Sequence, residues 1–195
     1  MKIHKRIYDR YISQIRINEI VKRINPLLKD SGKILDVGCG NGKISKILMG
    51  KNPGLKINGI DVFEIENPKI KVEVFDGEKI PYKENSFDTI TLIDVLHHEK
   101  DLETLFKEVI RVSNKYIIIK DHYFKNGIDR LILKVYDYVG NKPYGVKLPY
   151  NFKSIKEWKE LINKYNLEIL HFEKFRYKMQ PGKQLIMKLK VKDEK

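Results

Sequence analysis

Cysteine is almost missing from this chain of 195 residues: Cys39 is the only one. A single thiol makes no intramolecular disulfide and no cysteine-bound zinc cluster, the usage expected of a reducing compartment, so the cytoplasm is the expected location. Long apolar runs are lacking too. After Met1, the residues Lys2, His4, Lys5 and Arg6 lead into interleaved charges, and no stretch nears the roughly 20 apolar residues of a membrane span. Neither a signal peptide nor membrane insertion is expected. Internal repeats and low-complexity linkers are also absent, apart from a short charged tail after Val191.

What is present is a globular composition, 42% apolar and 33% charged, with aromatics spread along the chain. The length suits one α/β domain over 1–195 that buries most of its unfolded surface without metals or disulfides. The net charge of +13 would suit an anionic partner such as nucleic acid. Against that, the lysines are scattered through every segment, and no stretch joins clustered arginines to stacking aromatics. Composition or a charge-rich surface explains the excess equally well.

Apolar positions at helical spacing (Tyr8, Ile12, Ile15, Ile20, Ile24, Leu27) predict an N-terminal amphipathic helix within residues 1–30, broken by Asp30, Ser31 and Gly32. Strands are expected at Lys33 to Val37, Leu55 to Ile60, Lys71 to Phe75, Thr89 to Ile93 and Tyr116 to Ile119. Helices are expected at Lys43 to Met49 and Asp101 to Val112. Strands alternating with helices imply a mostly parallel sheet with right-handed crossovers. Beyond Lys120 come helical stretches at Ile128 to Val139 and Ser154 to Tyr165, the second opened by a Ser154 and Glu157 capping box. Two last strands, Leu167 to Phe172 and Leu185 to Val191, join through Gln180, Pro181 and Gly182 as an antiparallel pair at the sheet edge.

In Ile34-Leu35-Asp36-Val37-Gly38-Cys39-Gly40-Asn41-Gly42 a strand ends in an acid and enters a turn with glycine at every second position. The dinucleotide fingerprint G-x-G-x-x-G fails here, because its third glycine would be Lys43. The spacing resembles motif I of the class I S-adenosylmethionine-dependent methyltransferases, acidic-x-G-x-G-x-G. Further matches follow in family order: Asn58-Gly59-Ile60-Asp61, then Phe75-Asp76-Gly77-Glu78-Lys79-Ile80-Pro81-Tyr82, Ser86-Phe87-Asp88 and Asp94-Val95-Leu96-His97-His98. Together they run from about Ile34 to Val112 and resemble the type 11 group of this family.

The resemblance implies a doubly wound, seven-stranded Rossmann-like sheet and S-adenosyl-L-methionine as cofactor. It implies a cofactor site at Asp36, Gly38, Cys39, Gly40, Asn41, Gly42, Asp61, Val62, Asp76, Gly77 and Asp94. In it Asp61 would take the ribose hydroxyls, and Asp76 and Gly77 would face the adenine.

The acceptor is less legible. The N-P-P-Y tetrad of base-amino methylation is absent, since Asp94-Val95-Leu96-His97 stands there, and Cys39 inside the glycine turn is not placed to attack a base. His97, His98, Asp121 and His122 are the candidate catalytic residues, as general bases or as plain packing and turn residues. A cover inserted at 127–152 would bring Tyr136, Tyr144 and Tyr150, with Tyr123, to the acceptor, or these aromatics serve the core. No metal is expected. A small-molecule acceptor with oxygen or carbon as the methylated atom is preferred over RNA or protein, and a non-catalytic cofactor-binding subunit is the remaining reading.

Overall fold

Short β-branched runs separated by amphipathic stretches form one mixed sheet with helices on both faces. The computed structural model describes residues 2–142, 145, 146, 148–178 and 180–192, with side chains from residue 13 onward. The elements are α1 (Lys2–Ile24), β1 (Lys33–Val37), α2 (Lys43–Lys51), β2 (Lys56–Asp61), β3 (Val72–Val74), β4 (Phe87–Ile93), α3 (Leu102–Val112), β5 (Ser113–Phe124), α4 (Gly127–Asn141), β6 (Lys153–Ser154), α5 (Ile155–Lys164), β7 (Glu168–Phe175) and β8 (Lys183–Lys190). The strand order is β3-β2-β1-β4-β5-β8-β7. β3 to β5 are parallel, and β8 runs antiparallel to both β5 and β7.

Seven of these strands answer the sequence expectation. The eighth, β6, is a two-residue parallel pairing of Lys153 and Ser154 with Tyr123 and Phe124, too short to show a period. The expected antiparallel pair forms, with β8 inserted between β5 and β7 so that β7 takes the edge. β5 is longer than the apolar run alone suggests. It continues through Lys120, Asp121, His122 and Tyr123, because β8 pairs with it from Tyr116 to Tyr123. Asp121 and His122 therefore lie within a strand and not in the turn after it.

Successive residues of a strand point to opposite faces, and both faces here are covered. Leu35, Ile117 and Ile119 pack with α3 and α5, through residues such as Phe106, Val109 and Trp158. Ile34 and Ile118 pack with α1 and α2, through Ile20, Ile24 and Leu48. The capping box at the start of α5 is formed, with Ser154 accepting from the Glu157 amide and Glu157 from the Ser154 amide. The parallel strands β1, β2, β4 and β5 end at Val37, Asp61, Ile93 and Phe124, which places these ends at the carboxyl edge where open α/β sheets bind ligands.

α4 is amphipathic in an uneven way. Leu133 and Asp137 are buried beneath it, while Ile128, Leu131, Val135, Tyr138 and Val139 face outward. Its aromatics are thus divided between two faces.

Candidate functional site

The glycine turn between β1 and α2 is held from behind. Asp36 is buried and accepts from Ser45 Oγ at 2.5 Å and from Thr91 Oγ1 at 2.9 Å. Burial, only partly offset by these two hydroxyls, raises its pKa from 3.8 to about 6. The protonated form is therefore the one folding favours: the stability Asp36 contributes is complete below about pH 4 and lost as the pH rises through about 6. Keeping it ionised at pH 8 costs about 3 kcal/mol. Asp36→Asn is expected to unfold at higher urea concentration than the natural protein at pH 8, by about 1 to 3 kcal/mol, with the advantage shrinking toward pH 4. A variant equal to the natural protein at pH 8 would show that Asp36 is not held this way.

Two glycines of the turn play different parts. A Cβ added to Gly42 (φ +69°) would lie 2.4 Å from Ile70 Cγ1, whereas one added to Gly40 (φ +52°) meets nothing within 4 Å. Gly42 is required by the protein's own packing, while Gly40 keeps open space at the turn. Gly42→Ala should lower the melting temperature, with about 1–3 kcal/mol of overpacking added to about 1–2 kcal/mol of strain from its positive φ. Gly40→Ala should cost about 1–2 kcal/mol of backbone strain and weaken ligand binding in calorimetry. Equal losses of stability in the two would contradict this division. Cys39 packs under Gly59, and burial pushes its thiol pKa up, so it is a poor nucleophile.

Asp61 closes the turn from the end of β2. Its Oδ2 accepts from the Gly40 amide at 2.8 Å and its Oδ1 from the Phe63 amide at 3.1 Å. Each oxygen keeps a second lone pair for a ligand.

Beyond β4 the chain turns at Asp94, a non-glycine residue with φ +58°, pinned by its amide to the Lys120 carbonyl at 2.8 Å. Its carboxylate pairs with Lys120 Nζ at 2.5 Å and with the Arg16 guanidinium. Burial opposes the charge of Asp94, but Lys120 and Arg16 overcome it and hold the pKa well below the usual range. Lys120 is completely buried and also donates to Gln184 Oε1 at 2.7 Å. Burial lowers its own pKa against the pull of Asp94.

The histidines gather next to this network. His97 Nδ1 lies 2.6 Å from Asp121 Oδ1, which also accepts from the His122 amide at 2.6 Å. Burial disfavours a charged His97, but the surrounding carboxylates, Asp121 first, outweigh it and raise the pKa. At His122 burial prevails and the pKa falls. Phe152 stacks on the His97 ring at 5.0 Å and 19°. The Asn151 amide donates to the His97 carbonyl at 3.1 Å, tying the segment after α4 down onto the histidine turn.

Two adjoining cavities share Asp94, His98 and Asn141 in their walls. The smaller, of about 320 Å³, is lined by Gly38, Gly40, Asp61, Val62, Phe75 and Val95 among others. The larger, of about 540 Å³, lies among Arg16, His97, His122, Tyr136, Asp137 and Phe152. Of the residues expected at the site, Gly38, Gly40, Asp61, Val62 and Asp94 line the smaller cavity, and His97, His98, His122 and Tyr136 the larger. Asp121 stands behind His97.

Others lie elsewhere. Asp36, Cys39, Asn41, Gly42 and Gly77 are not in either wall. Asp76 is exposed, its carboxylate accepting from the amides of Glu78 and Lys79 at 2.8 Å each, while its neighbour Phe75 lines the cavity. Tyr123 is buried in the core below α5. Tyr150 tilts over Phe152 outside the cavity wall, and Tyr144 lies outside the described residues.

Sequence reasoning missed Arg16, Asp137, Phe152 and Gln184, which come from distant segments and carry no local signal. Lys120 had one: a charge continuing the apolar run Tyr116 to Ile119.

The profile of a family described as a methyltransferase domain matches residues 8–172. The chain belongs to the class I S-adenosylmethionine-dependent methyltransferases. The chain is 30% identical to the demethylmenaquinone methyltransferase of Thermotoga maritima over 107 residues, 51% of this chain and 44% of that protein. It is 36% identical to the tRNA U34 carboxymethyltransferase of Nautilia profundicola over 108 residues, 50% of this chain and 35% of that one. The chain thus spans less than half the length of these two relatives. Among solved structures it resembles a Thermotoga maritima protein described as a methyltransferase, possible histamine N-methyltransferase (TM-score 0.71, 20% identity, 96% of each chain). That likeness concerns the fold.

The residues present fit the family's cofactor. The smaller cavity offers the open space at Gly40, the remaining lone pairs of Asp61, and apolar surface at Val62 and Phe63, each 45% exposed. Those are the elements an adenosine needs: close backbone approach, a diol acceptor and an apolar face. No described helix is long and apolar enough to cross a membrane.

Proposed function

We propose that this methyltransferase methylates a small molecule, at oxygen or carbon, held in the larger cavity while S-adenosylmethionine occupies the smaller one. The observation that carries the reading is the adjacency of the two cavities through Asp94, His98 and Asn141. The bound cofactor supplies an electrophilic methyl group on a sulfonium. In such a displacement, positioning and a deprotonated acceptor supply much of the rate.

Asp94, locked by Lys120 and Arg16, fixes the boundary between the cavities. His97, oriented by Asp121, presents its Nε2 edge to the larger one. The segment 127–152 acts as the acceptor cover, through Leu133, Tyr136 and Phe152 in the wall. Leu133, Tyr136, Phe152 and Tyr177 give the wall an apolar and aromatic part, beside Arg16, Asp94, Asp137 and three histidines that can orient a small acceptor. The cytoplasm is the proposed location.

Radiolabelled cofactor incubated with the protein and a fractionated cell extract tests the reading. Label in the small-molecule fraction supports it. Label confined to RNA would overturn it in favour of an RNA acceptor, and label confined to protein would overturn it likewise. Cofactor binding without transfer to any fraction would identify a non-catalytic binding subunit.

A further inference from the structure

Three imidazoles and the buried carboxylate of Asp137 meet in the wall of the larger cavity, with buried Asp121 behind them, more than positioning an acceptor requires. We propose that His97, His98 and Asp137 bind one divalent transition cation of the zinc or ferrous type. His98 Nε2 lies 3.7 Å and His97 Nε2 4.0 Å from Asp137 Oδ1, and one donor atom from each residue falls within 4.8 Å of the others. Donors around a tetrahedral zinc with bonds of ~2.0–2.1 Å stand about 3.4 Å apart. Closing the site shortens the two imidazole–carboxylate distances by about half an ångström and brings the remaining donor pair, within 4.8 Å, closer by at most about 1.4 Å.

The orientation of His97 is that of a ligand. Its Nδ1 lies against Asp121 Oδ1 at 2.6 Å, so that in the neutral ring the proton stays on Nδ1 and Nε2, on the Asp137 side, is the atom offered to a cation. Metal-binding histidines are commonly fixed in this way by a carboxylate on the far nitrogen. Asp121 is engaged by His97 and by the His122 amide, which leaves Asp137 as the ligating carboxylate.

Asp137 supplies the second, independent observation. Only 6% of it is exposed, and its Oδ2 is buried with no hydrogen-bond partner. Its Oδ1 accepts from Asn141 Nδ2 at 2.6 Å, which aims the carboxylate at the histidines. Among the described residues its ion pairs are with His97 and His98 alone. A buried carboxylate lacking a lysine or arginine is costly, and a cation shared with two imidazoles removes that cost.

Two nitrogens and one carboxylate oxygen select borderline cations over magnesium or calcium, which prefer oxygen ligands throughout. Three protein ligands also leave a coordination position for an oxygen ligand from the cavity. Under the proposed methyl transfer, on which this last step rests, that ligand is a hydroxyl or enol acceptor. Its proton is lost to solvent on binding, and its oxygen or conjugated carbon then forms the new bond to methyl as the sulfur–methyl bond breaks.

The test uses tag-free full-length protein stripped with a chelator, titrated with cobalt(II) and followed by visible absorption. One equivalent should give ligand-field bands that zinc displaces, and zinc should raise the melting temperature of the natural protein. Asp137→Asn and His98→Gln should each weaken cobalt binding at least tenfold. Asp121→Asn should weaken it about 10- to 100-fold through His97. Absence of the bands, or cobalt binding that is equal in the natural protein, Asp137→Asn and His98→Gln, overturns the site. Cofactor titration of the same stripped protein is a separate readout: binding there with no cobalt bands removes the metal and leaves the methyltransferase reading in place.

Discussion

Replacing Lys120 by methionine is expected to cost the fold about 3 to 5 kcal/mol, because removing one partner of a buried ion pair strands the other. The side chain is completely buried, within 2.5 Å of Asp94 and 2.7 Å of Gln184. Methionine fills a similar volume, so the loss is electrostatic and not a cavity. Arg16 remains on Asp94, which argues for the lower end of that range. For a chain of this length the melting temperature should fall by about 6 to 12 °C. Adding Asp94→Asn removes the under-compensated charge but leaves Arg16 without its carboxylate, so it should recover only part of the loss. Denaturant unfolding of the two single variants and the double variant measures the coupling. A single variant within 1 kcal/mol of the natural protein would show that Lys120 does not hold Asp94. Because Asp94 stands in both cavity walls, cofactor affinity should fall along with stability.

The second large effect is at Asp61. If Asp61 takes both ribose hydroxyls, Asp61→Ala removes their acceptor. Hydrogen bonds to a charged group contribute about 1.5–3 kcal/mol each, so cofactor affinity in calorimetry should fall about 100-fold or more. The same change also frees the amides of Gly40 and Phe63, which loosens the turn. Asp61→Asn separates the two effects, since it keeps the size and one acceptor oxygen. It should melt near the natural protein yet bind the cofactor with intermediate affinity. Unchanged affinity in Asp61→Ala would place the ribose elsewhere.

The part of the smaller cavity formed by Gly38, Gly40 and Asp61 was legible because it is local. Asp36 to Gly42 is one strand end and one turn, and the parallel pairing of Val37 with Ile60 carries Asp61 to its side. A strand that ends in an acid and enters a glycine turn implies this geometry wherever it folds. Asp76 shows the limit of such reasoning. Its motif position is right in order and spacing, but its carboxylate caps the following turn and Phe75 occupies the wall. Which of two neighbours faces a cavity depends on backbone direction, and a short irregular segment has no period to reveal that.

The larger cavity was legible only in part, for a related reason: His97, His98, His122 and Tyr136 were expected there. Arg16, Asp137, Phe152 and Gln184 were not, and they come from α1, α4, the segment before β6, and β8. They meet because β8 enters the sheet beside β5 and α4 folds back over the histidine turn.

By itself the sequence determined the doubly wound sheet, the glycine turn and the adenosyl-cofactor series, since hydrophobic period and turn chemistry act over a few neighbouring residues. Only the tertiary structure decided that Lys120 neutralises Asp94, that Asp121 orients His97, and that Asp137 faces two histidines. Burial and charge pairing are set by what packs across space, and no spacing along the chain encodes them.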